Sequence, residues 1–382
     1  MKKRKPNIRK MGEIDFGIFC VIILLLAVGV VMVYSASSYY SMFKYNDSMH
    51  YLKRQLIWCI LGVMAMMFMM TVDYHKIKRW TFILLIATVP ILLAVFLFPG
   101  VNGAQRWIQL GPFSFQPSEL AKYVIVIYLA MFLEKKGDGI KNFKTGVIPC
   151  FLVAGIYAGI VLAEKNLSIA SVIMIVTFIM VYAAGARRLH MFGFITPTLV
   201  SAALVFALGV DYRRRRMLNF LNPWKDPAGD GYQLIQSFYA LGAGGITGLG
   251  LGQSRQKMLY MPEPHNDFIF SIIGEELGLI GCLIIIALFV VFVWRGVRIA
   301  MRAKDTYGSM LAIGITSIIA VQSIINIAVV TGSMPVTGVP LPFISYGGTS
   351  LVINLMAMGI LLNISRQTER KETNIAINKN KK

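Results

Sequence analysis

Apolar residues in this chain neither alternate as in a half-buried strand nor keep to one helical face. They come in blocks, at about 16–35, 55–73, 80–98, 119–134, 145–163, 168–185, 191–210, 268–294, 307–330 and 348–364, separated by shorter polar stretches. About 20 consecutive apolar residues is the length a helix needs to cross the hydrocarbon layer of a bilayer. Inside lipid a helix satisfies every backbone hydrogen bond within its own segment, which an open strand cannot do. The blocks therefore predict an all-α integral membrane protein, a bundle of about ten transmembrane helices with irregular extracellular loops. Only Glu164–Leu167 separates the fifth block from the sixth, and if that pair turned back within the membrane the later topology would be unchanged.

Composition agrees: 56% of the 382 residues are hydrophobic and 15% charged, against about 25% charged in soluble domains. The net charge of +20 would suit a nucleic-acid partner, but no basic domain exists and the charge sits at loop ends. With the N-terminus inside, the inner connections hold 25 Lys and Arg against 12 outside, so both termini are expected in the cytoplasm. The expected division is a basic N-terminus (1–15), an uncleaved polytopic domain (16–364) with a large extracellular loop at about 211–267, and a basic tail (365–382) near anionic membrane lipid. Cys20, Cys59, Cys150 and Cys282 lie within apolar blocks without paired spacing, which makes them packing residues.

Against this apolar background the polar stretches that approach the membrane carry the chemistry. In MPEPHNDFIFSIIGEELG (Met261–Gly278), a turn with Glu263, His265 and Asp267 runs into an apolar helix. Pro262 and Pro264 keep the approach non-helical, and Asn266 or Asp267 is expected to cap a helix beginning at about Phe268. Asp267, Ser271, Gly274 and Gly278 would then share one small, polar face. Glu275 and Glu276 lie deep in the same helix, where a carboxylate is costly unless paired. Their expected role is pairing with neighbouring helices.

Three outer loops differ in character. Tyr39–Arg54 reads as ordinary and polar. GVNGAQRWIQLGPFSFQPSE, up to Glu119, has two Gly turns, an Arg106–Trp107 pair and a Pro-Ser-Glu helix start. The longest connection opens with Arg213–Arg216 and passes to YQLIQSFYALGAGGITGLGLGQSRQK, whose aromatic and apolar content predicts order. Its run Gly242–Gly252 lacks the strand-helix setting of a dinucleotide loop, so the glycines are expected to allow a bent backbone close to lipid or ligand. Arg106, Lys122 and Arg213–Arg216 could hold phosphate oxygens, and Trp107 could stack on a sugar. The unaided reading is an outward polar site for an anionic, polar-headed, lipid-anchored substrate. Four scattered histidines show no metal cluster, and neither a Walker loop nor a GxSxG elbow is present.

VYSAS (Val33–Ser37), GAQRWIQLGPFSFQPSELAK (Gly103–Lys122), PEPHNDFIFSIIGEELG and PLPFISYGGTSL (Pro340–Leu351) resemble the SEDS proteins FtsW, SpoVE and RodA. The likeness covers nearly the whole chain and is nearer to FtsW and SpoVE. It implies a peptidoglycan glycosyltransferase that polymerises lipid II outside the cytoplasmic membrane, for division or spore cortex, with a class B penicillin-binding protein as crosslinking partner. By resemblance Asp267 is the essential aspartate and Trp107, Glu119 and Lys122 are loop and helix-start site residues. Ser118, Glu263, His265 and Ser345 lie within the same matching motifs and join Arg106 as candidate substrate-binding residues. The chain departs from the family at 165–169, where Lys-Asn-Leu-Ser-Ile replaces Pro-Asp-Leu-Gly-Thr, leaving any acid's role there in doubt.

The implied reaction joins a glucosamine C4 hydroxyl to C1 of another chain's muramic acid with inversion, expelling undecaprenyl pyrophosphate. Asp267 would be the general base. The pyrophosphate would meet Arg106, Lys122 or fourth-loop cations, or a divalent ion (Mg or Mn) held by Glu119 or Glu263. Two other classes remain at this point: a lipid II flippase, suggested by intramembrane charges at Lys122, Glu275 and Glu276, and a scaffold for a partner synthase.

Overall fold

The computed structural model describes residues 12–100, 104–111, 113–209, 214, 220–229 and 231–368. Ten long helices occupy the ten apolar blocks: α1 (Phe16–Tyr45), α2 (His50–Thr71), α3 (Tyr74–Ala94), α4 (Pro117–Lys136), α5 (Ile148–Ala163), α6 (Leu167–Ala183), α7 (Thr196–Leu208), α9 (Ile269–Arg302), α10 (Thr306–Val330) and α11 (Gly348–Thr368). Seven of the described helices are long and apolar enough to cross a membrane, and the helices at 167–183 and 189–205 are apolar but shorter. The chain is thus a multi-pass α-helical membrane protein. A further helix, α8 (Tyr232–Gly244), orders part of the longest connection. The RWIQLGPFSF loop forms a hairpin, β1 (Ile108–Leu110) with β2 (Phe113–Phe115), turned at Gly111 with φ +61.

At the centre is α10, packed against α4, α6, α8, α9 and α11. Its burial follows from its sequence, mostly small or apolar around the helix, with Gly314 pressed against Val126 and Met180. The pair α2 and α11 closes one flank. One end of the bundle is cross-tied by side chains: Asp15 caps α1 and receives Arg295 at 3.2 Å, while His75 lies between Asp73 (2.7 Å) and Asp305 (3.0 Å). Tyr74 Oη also donates to Asp305 at 2.6 Å. The irregular loops gather at the other end.

The long helix α9 departs from expectation twice. Phe268 is its N-cap and no side chain caps it, so neither Asn266 nor Asp267 has the expected role: Asn266 Nδ2 instead donates to Glu263 Oε2 at 2.8 Å. The shared face of Asp267, Ser271, Gly274 and Gly278 also ends early, because Gly278 is non-helical at φ +66 and ψ −166. There the glycine-rich loop enters the gap. Leu249 and Gly250 N–H groups donate to the Glu275 and Glu276 carbonyls (both 3.0 Å), and Leu279 and Ile280 N–H groups donate to Gly245 (2.9 Å) and Ile246 (3.2 Å). A Cβ on Gly248 would stand 2.2 Å from the Glu276 carbonyl oxygen, so the glycines are set by this close approach.

Glu275 and Glu276 are paired as expected, though chiefly with the fourth loop rather than with neighbouring helices. Glu275 accepts from Ser254 Oγ and from Arg255 N (2.9 Å), and Glu276 receives Lys257 Nζ at 2.8 Å and Ser35 Oγ at 2.7 Å. The serine of VYSAS therefore ties α1 to this knot. All four cysteines are free, and Cys59, Cys150 and Cys282 are buried, in keeping with packing roles.

Candidate functional site

A cavity of about 550 Å³ opens at the loop-rich end. Its wall is drawn from the start of α2 (Arg54, Trp58), the segment before β1 (Arg106, Trp107), the start of α4 (Glu119) and the α5–α6 turn (Asn166). Glu263, Asn266 and Asp267 complete it, with Gly338–Gly348 opposite. Asp267 is placed from behind, where Asn326 Nδ2 on α10 donates to the Asp267 carbonyl and to the Val339 carbonyl, each at 2.7 Å. A Cβ on Gly338 (φ +72) would lie 3.2 Å from Asp267 Oδ2, so a glycine there gives the carboxylate room.

Five of the nine residues singled out in the sequence, Arg106, Trp107, Glu119, Glu263 and Asp267, line this cavity. The other four are buried behind it. Lys122 closes on Glu119 at 2.9 Å, as a wholly buried pair one turn apart. Ser118 Oγ accepts from Gln116 (3.2 Å) and Asn166 (3.4 Å), fixing the start of α4 to that of α6. Ser345 Oγ donates to the Asn266 carbonyl at 2.7 Å and accepts from Leu341 N at 2.8 Å, so it clamps the two turns that carry the wall. His265 sits among Tyr40, Tyr51 and Tyr346, with ring centroids 5.9, 4.2 and 5.8 Å away. Burial pushes its imidazole down to about 3, helped by the nearby Lys44 charge, so it is neutral near pH 7.

Of the four fourth-loop arginines, Arg213, Arg215 and Arg216 fall outside the described residues, as do Met1–Met11 and the tail from 369. Sequence reasoning passed over Arg54, which sits in a loop that reads as ordinary and polar, and Trp58, which reads as part of an apolar block; both line the cavity. It also passed over Glu164. That side chain is wholly buried at the end of α5, and neither carboxylate oxygen has a hydrogen-bond partner among the described residues. Burial pushes its carboxyl up to about 8, against the opposing pull of Arg106. Nearby Asn166 caps α6, its Oδ1 accepting from Ile169 N at 3.3 Å.

Glu119 is closed on Lys122 and Glu263 on Asn266. Among the described residues no three His, Cys, Asp or Glu side chains are grouped to hold a metal ion. Glu119 and Glu263, the expected divalent-ion ligands, both line the cavity, each closed on another side chain, and Arg54 and Arg106 are the cations of the wall.

This combination is a membrane bundle with a polar cavity at one end whose wall holds three carboxylates, two arginines and two tryptophans. The chain belongs to the FtsW, RodA and SpoVE family of cell cycle proteins, whose match spans residues 16–370. It is 46% identical over 356 residues to stage V sporulation protein E of Bacillus subtilis, covering 92% of this chain and 97% of that one. To the probable peptidoglycan glycosyltransferase FtsW of Geobacter metallireducens it is 44% identical over 365 residues, covering 94% and 97%. Among solved structures it is similar to a chain of a peptidoglycan synthase complex studied for the coordination of polymerization and crosslinking (TM-score 0.75, 27% identity, 92% and 98% covered). It is also similar to the rod shape determining protein RodA of Thermus thermophilus (TM-score 0.69, 25% identity, 95% and 99% covered).

Proposed function

We propose that this protein is a peptidoglycan glycosyltransferase that polymerises lipid II on the outer face of the bacterial cytoplasmic membrane, with both termini in the cytoplasm. The observation that carries the reading is the position of Asp267, in the wall of a cavity that also gathers Arg54, Arg106 and two tryptophans. Its close relatives named as peptidoglycan glycosyltransferases support the same activity.

The chemistry follows from that wall. Asp267 takes the proton from the C4 hydroxyl of an acceptor glucosamine as the oxygen bonds to C1 of the donor muramic acid. The C1–phosphate bond breaks on the opposite face, and its electron pair leaves with undecaprenyl pyrophosphate. General-base help of this kind is worth about 10²- to 10⁴-fold. Arg106 and Arg54 bind the departing diphosphate through charge-assisted hydrogen bonds, and Trp107 and Trp58 offer apolar faces to the sugars. Glu119, closed on Lys122, is part of the cavity wall.

Transport of lipid II was suggested by charges at Lys122, Glu275 and Glu276. Each is saturated by a protein partner and does not mark a path across the bundle. A class B penicillin-binding protein is the partner this reading implies, supported by the likeness to a chain of a synthase complex.

The test is polymerisation of purified lipid II by reconstituted protein, with and without the class B partner, for wild type and Asp267→Asn. Wild type is expected to make glycan strands and the variant to lose about 10²-fold or more while keeping the same thermal unfolding. A well-folded Asp267→Asn protein of normal activity would remove Asp267 as the base. Lipid II crossing vesicle bilayers with no glycan formed would replace the enzyme by a transporter.

A further inference from the structure

Glu164 lies two residues from Asn166 in the cavity wall, and among the described residues no hydrogen bond compensates its burial. It is 0% exposed, and both oxygens lack a partner among the described residues. Leaving a carboxylate in that state costs several kcal/mol if it is ionised. The surroundings do not mark it as simple packing. Arg106, which lines the cavity, acts on the Glu164 charge and yet gives an N–H of its guanidinium to the Lys165 carbonyl, one residue further on. Lys165 holds a left-handed backbone (φ +60) that presents this carbonyl. The guanidinium is thus anchored by the backbone beside a carboxyl that makes no bond to it. Of the other charged groups on the elements packed here, Lys165 is exposed and Glu119 and Lys122 on α4 are closed on each other.

We propose that Glu164 is the proton-switched counter-charge of an anion subsite at Arg106: above about pH 8 it holds a proton while a diphosphate sits on Arg106 and releases it to face the guanidinium when the diphosphate departs. The inference rests on the cavity being the diphosphate site of the reading above. An arriving anion offsets the Arg106 charge, and the carboxyl takes one proton from solvent, so the anion and an ionised Glu164 do not both bear on Arg106. On departure the carboxyl ionises, the pocket returns to neutrality, and rebinding of the released product is weakened. Glu164 touches no reacting atom and is a positioning residue.

The test uses full-length protein in detergent with farnesyl diphosphate as probe, since its phosphates finish ionising near pH 6. Calorimetry in buffers of different protonation enthalpy, between pH 7.5 and 9.5, reads affinity and proton uptake together. Wild type is expected to take up close to one proton per diphosphate above pH 8, with affinity weakening up to tenfold per pH unit. Glu164→Gln is expected to take up none and to bind with flat affinity. Equal pH dependence in the two proteins overturns the switch while leaving polymerisation through Asp267 intact. Absence of probe binding to a wild type that polymerises lipid II overturns the subsite, again without touching the enzyme reading. Proton-coupled binding in a protein that makes no glycan would instead keep the subsite and sink the enzyme. Should Glu164→Gln fail to fold, infrared difference spectra of wild type at pH 9 decide: a protonated-carboxyl band appearing with the probe supports the switch, and its absence overturns it.

Discussion

Two sets of acids lie buried in this bundle with the same lack of exposure and opposite company. Glu275 and Glu276, 1% and 0% exposed, are met by Ser254, the Arg255 amide, Lys257 and Ser35. Glu164, 0% exposed, is met by no hydrogen bond among the described residues, although a guanidinium stands beside it. Burial says only that a charge must be compensated. Saturation marks the first set as a knot that fixes the fourth loop to α1 and α9, and deficit marks the second as a group kept adjustable. Fully satisfied networks specify structure, while unsatisfied polar atoms in a native protein call for another explanation.

The sharpest way to break this comparison is at the knot. Lys257→Met leaves Glu276 buried without its cation and is expected to cost about 3–5 kcal/mol, read as lost folded yield and a lower unfolding temperature in detergent. Adding Glu276→Gln should recover most of the loss. A single variant as stable as wild type would place the knot with the adjustable groups.

A smaller effect is expected from Glu164→Gln without ligand. The folded protein holds this proton up to about pH 8, whereas an unfolded glutamate releases it near 4.3. Wild-type stability therefore falls as pH rises between those values. Thermal unfolding should show Glu164→Gln above wild type by a few degrees at pH 8, with the gap closing below pH 4. The smallest effect concerns His265, which refuses a proton until about pH 3 while the unfolded chain accepts one near 6.5. Wild type should lose stability as pH drops from 6.5 toward 3, and His265→Asn should lack that slope, leaving the two alike at pH 8.

How much of this was legible beforehand depends on range. Ten helices were, because apolar blocks of membrane length leave the backbone no other solution, and the proline-bound turn before Asp267 was, because Pro262 and Pro264 act locally. The uncapped start of α9 was not. Asn266 bonds Glu263, three residues before it, and its own carbonyl takes Ser345, in a segment 79 residues away. The break at Gly278 was hidden for the same reason, since it needs the 244–250 loop to supply the missing donors. Arg54 went unremarked in a polar loop because nothing in its neighbours says that α2 turns it toward Asp267. Glu164 was invisible for a different reason: its signal is an absence of partners, which no spacing encodes.

The interrupted helix also bears on how the chain is made. The loop that mends α9 at Gly278 lies just ahead of it in sequence, so it leaves the ribosome first, already carrying the amides of Leu249 and Gly250 and the carbonyls of Gly245 and Ile246. Backbone groups bared at a break are intolerable in hydrocarbon. The second half of α9 therefore finds its missing partners waiting about 30 residues upstream, a closure far cheaper in chain entropy than one reaching across the protein. The order of synthesis itself guards the most fragile point of the longest helix.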